Sequence, residues 1–179
     1  MIAVCKSKEV MNYVSAILLG NPGLKGSASV LLIAALLFAS SCAPAPEPIA
    51  YGRDVCVFCK MLITEQQYGA VLVTRKGKNH KFDSVECMAA MVLQKTISRD
   101  EIHSMWTVSF DAPGTLIAVE DALYLHSPNL RSPMGLNASS YQTRSSAEEM
   151  HERYGGAVIG WQEVLRLVEV EWLPQWGGV

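Results

Sequence analysis

The chain has 179 residues and a formal net charge of −2, and 18% of its residues are charged. The first 41 residues hold three lysines and one glutamate, so the rest carries 12 basic and 16 acidic side chains, a net charge of about −4. A mildly acidic chain without a cluster of Lys or Arg is not expected to bind nucleic acid. The sequence also lacks a Gly-rich phosphate loop, a nucleophile elbow and a catalytic carboxylate pair.

An apolar segment near the N-terminus is typical of a secretory signal. Residues 30–39 are uncharged and apolar, and they lie between Lys25 and Cys42. This run is shorter than the roughly 20 residues that a transmembrane helix needs, and it fits the hydrophobic region of a signal peptide. The small residues directly before Cys42 resemble a lipobox, which predicts lipid attachment to Cys42. The alternative is ordinary signal-peptide cleavage, which leaves Cys42 unmodified.

The leader divides the chain into three predicted parts. Residues 1–41 are predicted to be a lipoprotein-type signal peptide, and 42–50 a stiff Pro-rich tether. Residues 51–172 are then long enough for one domain with a core of its own.

The first half of this domain is predicted to contain two strands, a helix and a third strand. The helix is expected to begin at Asp83 as its N-cap, with Glu86 completing a variant of the capping box. The predicted ranges are strands 68–74, 79–82 and 105–110, with the helix from 83 onwards.

A second set of elements follows in a similar order. Strands 116–119 and 122–126 are predicted to pair with each other about Glu120-Asp121. A helix is predicted over 147–153, with Ser145 or Ser146 as its N-cap and Gly155-Gly156 at its end. It is followed by a predicted strand over 157–159 and a closing helix over 161–169. Two successive strand–strand–helix–strand units predict an α+β fold of duplicated ββαβ units.

A sulfur motif on a predicted loop carries the main functional signal. Cys56, Cys59 and Met61 place two thiols and a thioether within six residues. Cu(I) accepts Cys and Met ligands together, whereas a redox dithiol or a structural zinc site does not need the methionine. If this segment is extended, Cys59 and Met61 share a face and can reach one ion. The alternative is a Cys56–Cys59 disulfide with Met61 in the core.

Three residues elsewhere are considered as further ligands. Met134 lies in a Ser-Pro-Met-Gly loop, where it is either a gap-filler or a ligand presented from the second unit. His126 ends a predicted strand shortly before this loop and is the preferred imidazole. Cys87 is expected in the core, with completion of the sulfur site as the alternative. If Cys42 is lipidated, an odd number of thiols remains, which a bound metal would explain.

Three sequence features together resemble the NosL family over residues 51–161. They are Cys-x-x-Cys-x-Met after a lipoprotein-like leader, Lys-Phe-Asp before a Cys-Met helix, and Ser-Pro-Met-Gly-x-Asn before a Gly-Gly pair. The resemblance implies a duplicated ββαβ fold related to the organomercurial lyase MerB. It also implies a copper site at Cys56, Cys59 and Met61, with Met134 on the second loop. The family's role implies Cu(I) delivery to an ABC-type machinery that matures nitrous-oxide reductase.

The sequence therefore predicts a Cu(I)-binding metallochaperone rather than an enzyme. It would be a lipoprotein on the outer or inner membrane, facing the periplasm. One alternative is a thiol–disulfide oxidoreductase, or a MerB-like lyase with Asp83 as proton donor. Another is a structural zinc module formed by Cys56, Cys59, Cys87 and one histidine, which would unfold without metal.

Overall fold

The computed structural model describes residues 43–176, so the predicted signal peptide and Cys42 lie outside the described residues. The strands are β1 (Ala70–Thr74), β2 (Asn79–Phe82), β3 (Ile102–Val108), β4 (Leu116–Ala118), β5 (Leu123–His126), β6 (Ala138–Tyr141) and β7 (Ala157–Ile159). The helices are α1 (Val85–Leu93), α2 (Arg144–Tyr154), α3 (Trp161–Leu167) and α4 (Leu173–Trp176), with a 3₁₀ turn at Arg99–Glu101 and a π-helical stretch at Val168–Trp172. This mixture of helices and antiparallel sheets confirms the predicted α+β class. Between residues 43 and 176, no helix combines the length and apolarity needed to cross a membrane.

The strands form two antiparallel sheets with a similar arrangement. The first has the order β2-β1-β3-β4 and the second the order β6-β5-β7. In both sheets the first strand of a strand–strand–helix–strand segment is central, and the second and third strands flank it. A parallel bridge between Ser109 and Ser140 connects the sheets.

The predicted pairing of segments 116–119 and 122–126 is wrong. Segment β4 pairs with β3 in the first sheet, while β5 pairs with β6 and β7 in the second. A tight turn separates the two segments, since the amides of Asp121 and Ala122 both donate to the Ala118 carbonyl oxygen. The acidic pair Glu120-Asp121 therefore lies in the connection between the two sheets.

Strand β6 was not predicted, because its Ala-Ser-Ser-Tyr sequence has few of the residues that favour strands. All four of its residues are buried, and the serine hydroxyls are hydrogen-bonded. The Ser140 hydroxyl donates to the Val108 carbonyl oxygen at 2.6 Å, and the Ser139 hydroxyl lies 2.9 Å from that of Tyr141. Hydrogen bonds, including the long-range one to Val108, therefore stabilise a strand that local propensity does not reveal.

Helix α1 is a buried helix at the centre of the main core. Its residues from Val85 to Met91 are all buried, and it packs against β1, whose residues are also all buried. A helix that is apolar nearly all round is stable only inside a core. This packing fixes the first turn of α1, which carries Cys87.

Helix α2 begins earlier than predicted and has a different N-cap. Its C-cap is Gly155 at φ 66°, in agreement with the predicted end at the Gly-Gly pair. The predicted cap at Ser145 or Ser146 is wrong, because the Thr143 hydroxyl oxygen accepts the amide of Ser146 at 3.1 Å.

Replacing Thr143 by Ala is expected to lower the free energy of unfolding by about 1 kcal/mol, because an amide of the first helical turn loses its acceptor. Ser145→Ala is the control, since Ser145 is exposed and a surface substitution is expected to change stability by less than about 0.5 kcal/mol. Urea denaturation of both variants checks this. A larger loss for Ser145→Ala than for Thr143→Ala would contradict the assigned cap.

Candidate metal centre

The sulfur motif lies on a closed turn, as predicted. Val55 and Leu62 form an antiparallel bridge, and the Cys56 amide donates to the Met61 carbonyl oxygen at 2.8 Å. Lys60 adopts a left-handed conformation with φ 64°. The assumption of an extended segment, on which the shared face of Cys59 and Met61 depended, is therefore wrong. The turn leaves Cys56 fully buried and Cys59 partly exposed.

The turn is attached to β2 through Asp54 and Lys81. One Asp54 oxygen, Oδ2, accepts from the Ala50 amide at 2.6 Å and from Lys81 Nζ at 2.8 Å. Burial raises the pKa of Asp54, but these hydrogen bonds and the nearby positive charges outweigh it and hold the pKa below its usual range. The Val57 amide also donates to the Lys81 carbonyl oxygen. The position of the sulfur turn is thus set by the first sheet.

Helix α1 brings a third thiol and a carboxylate to the turn. The donor atoms of Cys56, Cys59, Asp83 and Cys87 all lie within 4.8 Å of one another, and this group is called the thiol cluster here. All three cysteines are free thiols. Two thiolates that bind one metal ion from opposite sides at roughly 2.3 Å lie about 4.6 Å apart. The cluster therefore has the dimensions of a site for one ion.

The predicted capping role of Asp83 is wrong. Helix α1 begins at Val85 with Ser84 as its N-cap, and no side chain caps it. The Asp83 carboxylate instead accepts a hydrogen bond from the Cys87 thiol, with Sγ and Oδ1 3.3 Å apart. Sequence reasoning considered Asp83 only as a cap or a proton donor. The available signal was the spacing of four residues between Asp83 and Cys87 across the start of the helix, which allows the two side chains to approach each other.

The thiols of Cys56 and Cys87 differ in their ease of ionisation. The pKa of Cys56 is lowered to about 6, chiefly by interaction with the Cys87 thiol. Hydrogen bonds with the backbone at Asp83, Cys59 and Phe58 lower it further, and together these effects outweigh burial, which raises it. The same contact with Cys56, a contact with Cys59 and burial raise the pKa of Cys87. The Cys87 thiol itself donates to Asp83 Oδ1. These contacts therefore favour the thiolate form of Cys56 and the protonated form of Cys87.

Two thioethers share a cavity near the sulfur turn. Met61 is 49% exposed and Met134 only 5% exposed, yet both line a cavity of about 600 Å³ together with Arg131 and Trp176. The Met134 carbonyl oxygen accepts the indole N–H of Trp172 at 2.8 Å. The structure thus brings the Ser-Pro-Met-Gly loop to the side of the molecule where Met61 lies.

The Trp172 side chain also connects the Met134 loop to the sulfur turn. Its ring packs against that of Phe58, with the ring centroids 5.9 Å apart. Phe58 is the residue directly before Cys59. Residues that are distant in sequence therefore surround the turn with aromatic and thioether groups.

No histidine belongs to the thiol cluster. Among residues 43–176, it is the only group of three or more His, Cys, Asp or Glu side chains with donor atoms this close together. His126, the predicted imidazole ligand, lies on β5, where its backbone pairs with Ala138 and Ala157. The fourth donor beside the three thiols is Asp83, and not the histidine that the zinc hypothesis required. Cys87 is buried in the core as predicted, and its thiol also belongs to the cluster.

Comparisons with known proteins identify the family of this chain. The NosL family model matches residues 50–168. The fold is similar to the crystal structure of the copper chaperone NosL from Shewanella denitrificans, with 22% sequence identity and a TM-score of 0.57, over 67% of this chain and 96% of that chain. No curated protein matches the sequence. Because the family model covers well over half of the sequence, the chain belongs to the NosL family.

Proposed function

We propose that the protein binds one Cu(I) ion at the thiol cluster and carries it as a metallochaperone in the cell envelope. The observation that supports this most strongly is the convergence of three sulfurs and a carboxylate within 4.8 Å. Soft thiolate and thioether ligands favour Cu(I) among the biological metal ions. The similar solved structure is that of a copper chaperone.

Cys56 and Cys59 are the proposed principal ligands. Cys56 is buried and its pKa is lowered, while Cys59 is partly exposed, so an ion held between them is accessible from one side. Cys87 donates hydrogen bonds within the cluster and serves as a supporting group or third ligand. Met61 and Met134 are proposed to complete the site from the cavity side, where a neutral thioether allows the ion to leave.

The surface beside the cluster is suited to a protein partner. Val55, Met61 and Leu62 are each about half exposed and lie together on the sulfur turn. Exposed apolar groups beside a metal site provide a contact surface for a protein that accepts the ion. Family membership supports an ABC-type maturation machinery, and through it nitrous-oxide reductase, as the destination of the copper.

The proposed location is the periplasmic face of a membrane, with a lipid on Cys42. The apolar run before Cys42 and the Pro-rich segment after it support a tethered carrier. Fractionation of cells that produce the full chain tests the tether. Recovery of the mature protein in the soluble fraction alone would contradict it.

Anaerobic titration of the reduced protein with Cu(I), in competition with a chromophoric Cu(I) chelator, tests the binding. One equivalent per monomer is expected to be withheld from the chelator. Zn(II) added at equal concentration is expected not to displace it, because thiolate and thioether donors together favour Cu(I). Binding of Zn(II) alone, or no retention of Cu(I), would overturn the proposal.

A thiol–disulfide oxidoreductase is the second candidate. The lowered pKa of Cys56 favours it, since the thiolate is the nucleophile in disulfide exchange. In that reaction Cys56 and Cys59 would form a disulfide while a substrate disulfide is reduced to two thiols. Met61 would then be dispensable, so disulfide turnover that is unchanged in Met61→Ala would favour the enzyme over the carrier.

A further inference from the structure

Glu86 is a fully buried carboxyl group in the first turn of α1. Its side chain is not exposed, and none of the ion pairs among residues 43–176 includes it. Burying an ionisable group without an opposite charge is unfavourable unless hydrogen bonds compensate. Burial raises the pKa of Glu86 to about 7. A carboxyl group at this position therefore requires an explanation beyond packing.

The Glu86 side chain is hydrogen-bonded to a residue of the Met134 loop. Its Oε1 accepts a short hydrogen bond from the Ser132 hydroxyl, and within the described chain Oε2 has no partner. Glu86 is the neighbour of Cys87 in the chain, and Ser132 lies two residues before Met134. One hydrogen bond thus connects the helix that carries a thiol to the loop that carries a thioether.

Ser132 is itself held rigidly in the loop. Its hydroxyl oxygen accepts the Asn137 amide at 2.8 Å, and the Asn137 side-chain oxygen accepts the Ser132 amide at 3.3 Å. These reciprocal bonds close the loop over residues 132–137. The position of Ser132 is therefore tied to that of the loop, which includes Met134.

We propose that Glu86 is a positioning residue that holds the Met134 loop in register with the thiol cluster. This inference rests on the proposed function, because it assigns Glu86 the task of bringing a thioether to the Cu(I) site. The carboxyl group does not touch the ion. It acts through Ser132, and a structural role confined to the core would not couple it to Met134.

A double-mutant cycle between Ser132→Ala and Met134→Ala tests the coupling. Ser132→Ala is expected to weaken Cu(I) binding roughly 10-fold, the scale seen when a group that orients a ligand is lost. Met134→Ala should weaken binding by a similar factor in the wild type, but by less than about 2-fold in the Ser132→Ala background. Equal effects of Met134→Ala in both backgrounds would overturn the inference, as would no effect in the wild type.

Two further variants separate positioning from general loss of stability. Ser139→Ala also removes a buried hydroxyl, whose partners are the Leu125 carbonyl oxygen and the Tyr141 hydroxyl, and should leave Cu(I) affinity within about 2-fold. Glu86→Gln keeps the acceptor oxygen for Ser132 and should preserve the dependence of binding on Met134. Glu86→Leu removes the acceptor and should abolish that dependence. Loss of the dependence in Ser139→Ala would contradict a specific link.

Hydrogen exchange in the metal-free protein tests the positioning role of Glu86 independently of the proposed copper binding. The indole N–H of Trp172 donates to the Met134 carbonyl oxygen, so its hydrogen exchange reports the position of the loop in the metal-free protein. Exchange should be faster in Ser132→Ala and Glu86→Leu than in the wild type and unchanged in Ser139→Ala. Unchanged exchange in Ser132→Ala and Glu86→Leu, or equally faster exchange in Ser139→Ala, would overturn the positioning role. Failure of the wild type to bind Cu(I), with the exchange response intact, would instead overturn the proposed function.

Discussion

Replacing Cys59 by Ser together with Met61 by Ala is expected to abolish stoichiometric Cu(I) binding. The double variant removes the partly exposed thiol of the cluster and the most exposed sulfur of the cavity. A Ser hydroxyl is a hard donor that remains protonated, so it does not replace a thiolate toward Cu(I). The affinity loss should exceed the roughly 10- to 100-fold cost of removing a residue that only supports a ligand. Competition with a chromophoric Cu(I) chelator measures it.

Cys87→Ser is the matched control for this prediction. It also exchanges a thiol for a hydroxyl, but at a residue that already donates its hydrogen to Asp83. The Ser hydroxyl retains this donor, so Cu(I) affinity should fall no more than roughly 10- to 100-fold. If the Cys59/Met61 double variant still binds one Cu(I) tightly, or if Cys87→Ser has the larger effect, the ligand assignment is wrong.

Gly156→Ala is expected to destabilise the protein by roughly 3 kcal/mol or more. Gly156 has φ +91°, where a Cβ costs about 1–2 kcal/mol. A Cβ there would also overlap the His126 carbonyl oxygen and lie 2.8 Å from Ser127 Cα. Since these atoms are backbone, the chain must shift, and overpacking of this kind costs about 1–3 kcal/mol. Urea denaturation monitored by circular dichroism measures the loss.

Gly77→Ala isolates the conformational part of that cost. Gly77 has φ +80° in the turn between β1 and β2, and a Cβ added there would meet no atom within 4 Å. The expected loss is therefore only about 1–2 kcal/mol. Equal losses for the two variants would show that β7 does not approach β5 as closely as described.

Local sequence patterns were sufficient to predict most elements of the fold. The β-branched residues of β1, the turn at Gly77 and the apolar residues of α1 each follow from neighbours in sequence. The end of α2 at Gly155 follows from a conformation that favours glycine. Each of these features depends on contacts within a few residues, which a single sequence contains.

The errors arose where distant contacts determine the conformation. Pairing of β4 with β3 and burial of the β6 serines depend on the arrangement of both sheets. Asp83 was assigned to a helix cap because its thiol partners could not be located from sequence. The prediction that Cys59 and Met61 share a face was wrong because Lys60, which lies between them, has a positive φ angle.

The candidate site was only partly predictable for the same reason. The motif that contains Cys56 and Cys59 indicated a site for a soft metal ion, since soft donors at this spacing favour such an ion. The position of Cys87 beside them and the hydrogen bond between Glu86 and Ser132 are tertiary contacts. No spacing rule connects residues so far apart in the chain.

X-ray absorption at the copper edge of the anaerobically loaded wild-type protein tests the central claim most directly. The account predicts a Cu(I) edge and scattering dominated by sulfur at a distance of about 2.3 Å, the scale of a metal–thiolate bond. The sulfur contribution should fall in the Cys59/Met61 double variant. A spectrum explained by nitrogen and oxygen neighbours alone would contradict a sulfur site for Cu(I) at the thiol cluster.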